Sequence, residues 1–419
     1  MRTGTAVVDI TPEAGVELSG YGARVQPSVG VHDRLFARYL YLEDDANRLL
    51  WIHADLLAFE RDFVVGLKQQ IGERFGFAPH QIVISATHTH SGPATVHLFG
   101  CGEYEAGYVE WLGSRLLEGA ADALEDAEET QAVHAEGHCD LAVDRRGKAS
   151  AHTDHRVGVL AWRRADGTYA AVLANYAMHN VGLSSDNRLV SADMAGRAAR
   201  TASESLPGSP VVLFTNGACG NTNPPELTTD FAKVEAMGDQ MAASVVKALD
   251  HAMPLPNTAF RTAVETLDVP LDTMDVDQVT ARADALRDEV KGRDGYVADR
   301  IRSAADAWQG LMLRRAEEGT PLTHVPMDIH AIRLGGVSLV CLGAEVFSRM
   351  ADELRAAAGK TVYVVGYANG DIGYLPTPEA YAEGGYEVDN AFIFYGSFRP
   401  KPSAFDLVRD TATRLLQSV

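Results

Sequence analysis

Short apolar runs, most with β-branched residues, recur along the chain, and small or polar residues end each of them before it reaches helical length. Ala6-Val7-Val8-Asp9-Ile10 stops at Thr11-Pro12 and reads as a strand. The stretches 36–43 and 49–54 flank Asp44-Asp45-Ala46-Asn47, which predicts a β-hairpin. Gln81-Ile82-Val83-Ile84 reads as a short buried strand, and the same texture returns at 157–162, 170–176, 211–214, 331–334, 337–342 and 363–367. Between these runs, apolar positions fall at helical spacing over about 60–75, 108–127, 192–205, 229–250 and 346–357. Strands alternating with helices in this way predict an α/β fold, a mixed β-sheet core flanked by helices.

One stretch breaks the pattern. From about 276 to 318 the chain is charged, Ala-rich and nearly free of strand formers, with a break at Lys291-Gly292-Arg293-Asp294-Gly295. It reads as an inserted helical hairpin, either a plain surface element or a cap over a pocket mouth. No repeat or linker divides residues 1–419, which read as a single catalytic-scale domain. A net charge of -20 argues against nucleic-acid partners and against attachment to anionic lipid. No apolar run reaches the roughly 18 residues of a membrane span. The N-terminus shows no apolar leader, and the four cysteines are scattered without a CxxC, so a cytoplasmic setting is expected.

Candidate chemistry gathers at strand ends. Ser85-Ala86-Thr87-His88-Thr89-His90-Ser91-Gly92-Pro93 puts two histidines two residues apart, directly after an apolar strand. Extended backbone would send both imidazoles to one side. Imidazole is a common zinc ligand and the usual proton carrier near neutral pH. His179 follows the strand 170–176. The loop Thr215-Asn216-Gly217-Ala218-Cys219-Gly220-Asn221 offers small residues where backbone can approach a ligand, without the string of a phosphate-binding P-loop. Cys219 is a candidate nucleophile or a buried small hydrophobe. Glu345 is either a ligand or a carboxylate complementing a helix N-terminus. His152 and His155 form a competing HxxH pair in a loop.

The order of these tracts resembles the neutral/alkaline non-lysosomal ceramidase family. The matching strings are Val8-Asp9-Ile10-Thr11-Pro12, Gly20-Tyr21, Gly30-Val31-His32, the Thr87-to-Pro93 tract, Leu189-Val190-Ser191-Ala192-Asp193 after His179, the Asn216-to-Asn221 loop, Glu345, and Tyr374 through Glu387 to Tyr395-Gly396. The resemblance implies one zinc ion per chain on His88, His179, Glu345 and Tyr374. It also implies His90, Arg145 and Tyr386 as catalytic residues, with Gly217 and His32 against the substrate. The family's serine nucleophile aligns with Gly217, and the chain stops where those enzymes continue into a C-terminal β-sandwich. The activity implied is a zinc-dependent hydrolase in which metal-bound water attacks an amide-type bond of a small soluble substrate. A lactone, lactam or glycoside hydrolase and a non-catalytic ligand-binding relative are the alternatives.

Overall fold

The computed structural model describes residues 1–24, 26–256 and 259–419. Among the described residues, three sheets of four or five strands build the centre. The first runs Ile82–Ala86, Arg48–Ala54, Phe36–Glu43, Arg2–Asp9 and Glu128–Glu129. The second runs Val211–Asn216, Tyr169–Tyr176, Arg156–Arg163, Gln131–His138 and Met253–Pro254. The third runs Phe260–Pro270, His324–Leu334, Val337–Leu342 and Thr361–Val365.

Pleat alternation explains the layering. In Arg48–Ala54, Leu49 and Trp51 join a core shared by all three sheets, while Leu50, Ile52 and Ala54 face the helices outside. Trp162 and Leu173 reach that shared core from the second sheet, and Phe260, Leu339 and Tyr363 from the third. Because both faces of these strands are covered, their sequences are continuously apolar rather than alternating. Helices Arg61–Phe75 and Ala106–Glu125 cover the first sheet, Asp193–Ser205 and Phe231–Leu249 the second, Arg349–Ala358 and Ala404–Ser418 the third.

Each large sheet contains one parallel pair: Arg48–Ala54 with Ile82–Ala86, Tyr169–Tyr176 with Val211–Asn216, and Val337–Leu342 with Thr361–Val365. Parallel strands put their carboxyl ends, and the loops after them, on one side, where ligands bind in α/β folds. Backbone bonds stitch these ends together. Asn369 N–H donates to Ile84 O at 2.7 Å, and Gly366 N–H donates to Asn216 O at 3.0 Å.

The inserted segment is two helices, Val276–Glu289 and Tyr296–Glu317. Fully buried Trp308 holds it down, edge-on to Phe392 and Phe398, with its indole N–H donating to Ser397 O at 2.7 Å. One expectation changes: the helix placed at about 346–357 begins at Arg349, and Glu345–Val346 is instead a short strand parallel to Tyr374–Leu375.

Candidate metal centre

His88 follows the strand Ile82–Ala86, but its backbone is not extended: φ is 59°, in the left-handed region. The turn, rather than an i, i+2 strand geometry, brings the imidazoles of His88 and His90 together, with their Nε2 atoms 3.2 Å apart. His179 follows the strand Tyr169–Tyr176 and reaches the same point. Glu345 follows the third-sheet strand Val337–Leu342 and lies in a separate two-stranded pair, whose parallel register sets it beside Tyr374.

The hydrogen bonds fix how these groups face. His88 Nδ1–H donates to Leu57 O at 2.9 Å, and His179 Nδ1–H donates to Cys219 O at 2.7 Å. Both Nε2 atoms therefore turn inward, 3.6 Å and 2.8 Å from Glu345 Oε2. A tetrahedral shell with arms of roughly 2.0–2.1 Å has edges of about 3.3 Å, close to these separations. Two imidazoles oriented through carbonyls and a buried carboxylate form a donor set that fits zinc. His90 makes a second grouping with the two other imidazoles, the ligand atoms of His88, His90 and His179 all lying within 4.8 Å of one another.

Charge supports the fit. Burial opposes ionisation of Glu345, yet the hydrogen bond from His179 and the nearby imidazoles hold its carboxyl down to about 2. Burial pushes His88 down to about 3. Burial also works against a charged His179, but its bonds to Cys219 and Glu345 carry it up to about 9. His90 is driven well below its ordinary value by burial and by the neighbouring imidazoles, so it stands neutral. Gly20 makes room for it: a β-carbon there would come 2.5 Å from His90 Nδ1.

Arg145 is pinned from several sides. It donates to Glu387, to Gly220 O and to the Tyr374 hydroxyl, each at 2.9 Å, and to Asn223 at 3.3 Å. Tyr386 stands edge-on to Tyr374, with ring centroids 5.9 Å apart. A cavity of about 340 Å³ opens over His88, His90, Glu345, Arg145, Tyr374 and Tyr386.

Two residues expected at the substrate lie elsewhere. His32 is bonded to Asp33 at 2.9 Å, stacked 3.6 Å from Phe231, and does not line this cavity. Gly217 already gives its N–H to Tyr176 O at 2.8 Å, so it is not free to hold an oxyanion. A β-carbon there would sit 2.9 Å from Ala177, and one at Gly220 would sit 2.3 Å from Glu345 O. The loop is glycine-rich because backbone packs against backbone to bring Glu345 and Arg145 together. Cys219 is buried, its Sγ 3.3 Å from the Tyr367 hydroxyl. His152 is occupied by Ser348 and Asp352, and His155 by Thr153 and the Cys139 carbonyl.

Two tyrosines join the site without having been assigned a role from sequence. Tyr395 donates to Glu345 Oε1 at 2.6 Å and lines the cavity. Tyr367, also in a left-handed turn, stacks 3.8 Å from His88. The signals were present in Tyr395-Gly396 and in a tyrosine just past the strand Thr361–Val365, but a tyrosine in a loop has too many ordinary roles to be singled out.

The family model described as "Neutral/alkaline non-lysosomal ceramidase, N-terminal" matches residues 1–143. A neutral ceramidase of Mycobacterium tuberculosis is 23% identical over 92% of this chain and 73% of its own length. Neutral ceramidase A of Dictyostelium discoideum is 31% identical, over 27% of this chain and only 16% of its own. The solved neutral ceramidase of Pseudomonas aeruginosa shares the fold, with a TM-score of 0.77 over 99% of this chain and 74% of that one, at 18% identity. The family model covers the first third of the chain and the fold is shared over nearly all of it, so the chain is similar to the neutral/alkaline non-lysosomal ceramidases.

Proposed function

We propose that this protein is a zinc-dependent hydrolase acting on an amide-type bond of a small, soluble substrate. The observation that carries the reading is the approach of His88 Nε2 and His179 Nε2 to Glu345 Oε2, at 3.6 Å and 2.8 Å, beside a cavity that His88 and Glu345 line. His88, His179 and Glu345 would hold the ion, with Tyr374 beside them. Zinc so held supplies Lewis-acid polarisation of a carbonyl and makes water more acidic.

The remaining chemistry belongs to the chain. Neutral His90 lines the cavity with its Nε2 3.2 Å from His88 Nε2; with the His88 lone pair given to a metal, His90 would be free to take a proton from the attacking water and return it to the departing amine. Tyr395 fixes one oxygen of Glu345, leaving the other directed at the histidines. Arg145 holds the Tyr374 hydroxyl and keeps positive charge at the cavity edge, so it positions the phenol rather than acting on the substrate directly. The relatives' names point to ceramide; the strong negative charge of this chain favours a soluble amide over one lying in an anionic membrane.

The reading is tested with purified protein, zinc-loaded and chelator-treated, on a panel of soluble N-acyl amines beside ceramide in detergent micelles. Zinc-dependent turnover of the soluble amides, faster than of ceramide, is the expected result. Faster turnover of ceramide overturns the substrate assignment, and no amide turnover at all overturns the activity.

A further inference from the structure

The inserted hairpin reaches the site. Val297 and Ile301, one turn apart on the helix Tyr296–Glu317, line the cavity that opens over His88 and His90. Val297 is 41% exposed, an aliphatic side chain with no protein surface to cover it on that side. Leu57, Leu98 and Phe394 continue the apolar wall. Arg145 and Tyr386 stand at the other, polar edge.

The hairpin is fixed in place. Arg300, between the two lining residues, bonds Glu17 at 2.8 Å with both side chains largely buried. Gly100 lets the loop beneath press against the helix: a β-carbon there would lie 3.0 Å from Arg300 O. Trp308 anchors the next turns against the segment that carries Phe394 and Tyr395. A wall held from both ends selects by size as well as by polarity.

We propose that the helix Tyr296–Glu317 forms the acyl pocket of this enzyme, and that Val297 and Ile301 select a straight aliphatic acyl group of short to medium length. This rests on the hydrolase reading above for the word acyl, but the pocket itself is tested separately. The polar, amine-bearing part of the substrate lies toward Arg145 and Tyr386. The volume of about 340 Å³ is near the lower end of the roughly 300–1,000 Å³ range of small-molecule sites, which sets the short to medium length of the group proposed.

The probe is the series of straight-chain carboxylates from acetate to decanoate, kept below their micelle concentrations. Binding to the full chain is followed by titration calorimetry, zinc-loaded and metal-free alike. Burial of methylenes makes each added carbon worth about fourfold in affinity until the pocket is full. Octanoate is therefore expected to bind at least about tenfold tighter than acetate in both states, with no further gain at decanoate. Val297→Asp should remove most of the advantage of octanoate, and Ile301→Trp should move the plateau to shorter chains. Thermal unfolding controls for the fold, and Val297 is exposed enough that its replacement does not threaten it. Affinity independent of length, or variants that weaken acetate and octanoate equally, overturns the pocket. Length selection in a protein that hydrolyses no amide keeps the pocket and removes the hydrolase reading; amide hydrolysis without length selection does the reverse.

Discussion

An imidazole that donates through Nδ1 keeps a lone pair on Nε2, and at His88 and His179 the donation goes to the carbonyls of Leu57 and Cys219. Each carbonyl holds the Nδ1 proton and so turns Nε2 toward Glu345; a bound metal would displace the Nε2 proton that His179 gives to Glu345. His88→Ala and His179→Ala should each lose the single zinc expected per chain, read by elemental analysis of purified protein. His90→Ala should keep the metal while turnover falls on the order of 10²–10⁴-fold, as removal of a general acid–base does. Full zinc retention in both ligand variants would sink the assignment, and loss from His90→Ala would move His90 into the ligand set. The covalent route is tested at Cys219, whose thiol is buried against the Tyr367 hydroxyl and does not line the cavity. Cys219→Ala should retain near wild-type turnover, with no acyl adduct found by mass spectrometry after rapid quench. An adduct that accumulates and vanishes in the variant would make this a thiol enzyme.

At the scale of elements, Trp308 links the hairpin to the segment bearing Tyr395. Trp308→Ala removes a fully buried indole and should cost about 3–5 kcal/mol in urea unfolding, with Trp308→Phe recovering part of it. A cost under about 1 kcal/mol would show that the hairpin is not held by this contact. The hairpin itself was legible in sequence because its composition departs from that of its neighbours. The strands of the parallel pairs were legible for a related reason: covered on both faces, they are continuous apolar runs. Phe260–Pro270 and Gln131–His138 were not, because their exposed positions interleave polar residues such as Arg261, Glu265 and Glu136 with the buried ones. Helix Ala404–Ser418 also went unread, although Ala404, Val408, Ala412 and Leu415 keep helical spacing toward the third sheet. His88 and His90 come together through a turn rather than through extended backbone, and a positive φ at a histidine leaves no mark in composition. The tyrosine that bonds Glu345 lies 50 residues away from it, a partnership that only the folded chain reveals.

For the molecule as a whole, burying imidazoles between sheets ties stability to pH. His53 is fully buried in the first sheet, between the Ser85 hydroxyl and the Phe214 carbonyl of the second, and burial pushes it from 6.5 down to about 3. Buried His330 is pushed the same way, also to about 3. The unfolded chain then binds protons that the folded one refuses. The stability from each neutral histidine is therefore full above pH 6.5 and is lost as pH falls toward about 3. The slope is about 1.4 kcal/mol per pH unit per group inside that window. Asp193 and Asp371 act with the opposite sign: burial raises them to about 7 and 8, so their contribution is lost as pH rises through those values. Total stability against pH thus mixes opposing slopes, and the informative quantity is the difference between wild type and His53→Gln. Urea unfolding at pH 8, 7, 6 and 5, with chelator present to remove competition between protons and metal, should show the variant less stable at pH 8. Below pH 6.5 the gap should close by up to about 1.4 kcal/mol per unit, because the glutamine has no proton to take up. A gap that stays constant from pH 8 to 5 would mean that His53 titrates alike in the folded and unfolded chain, and that its burial between the sheets does not set the acid limb.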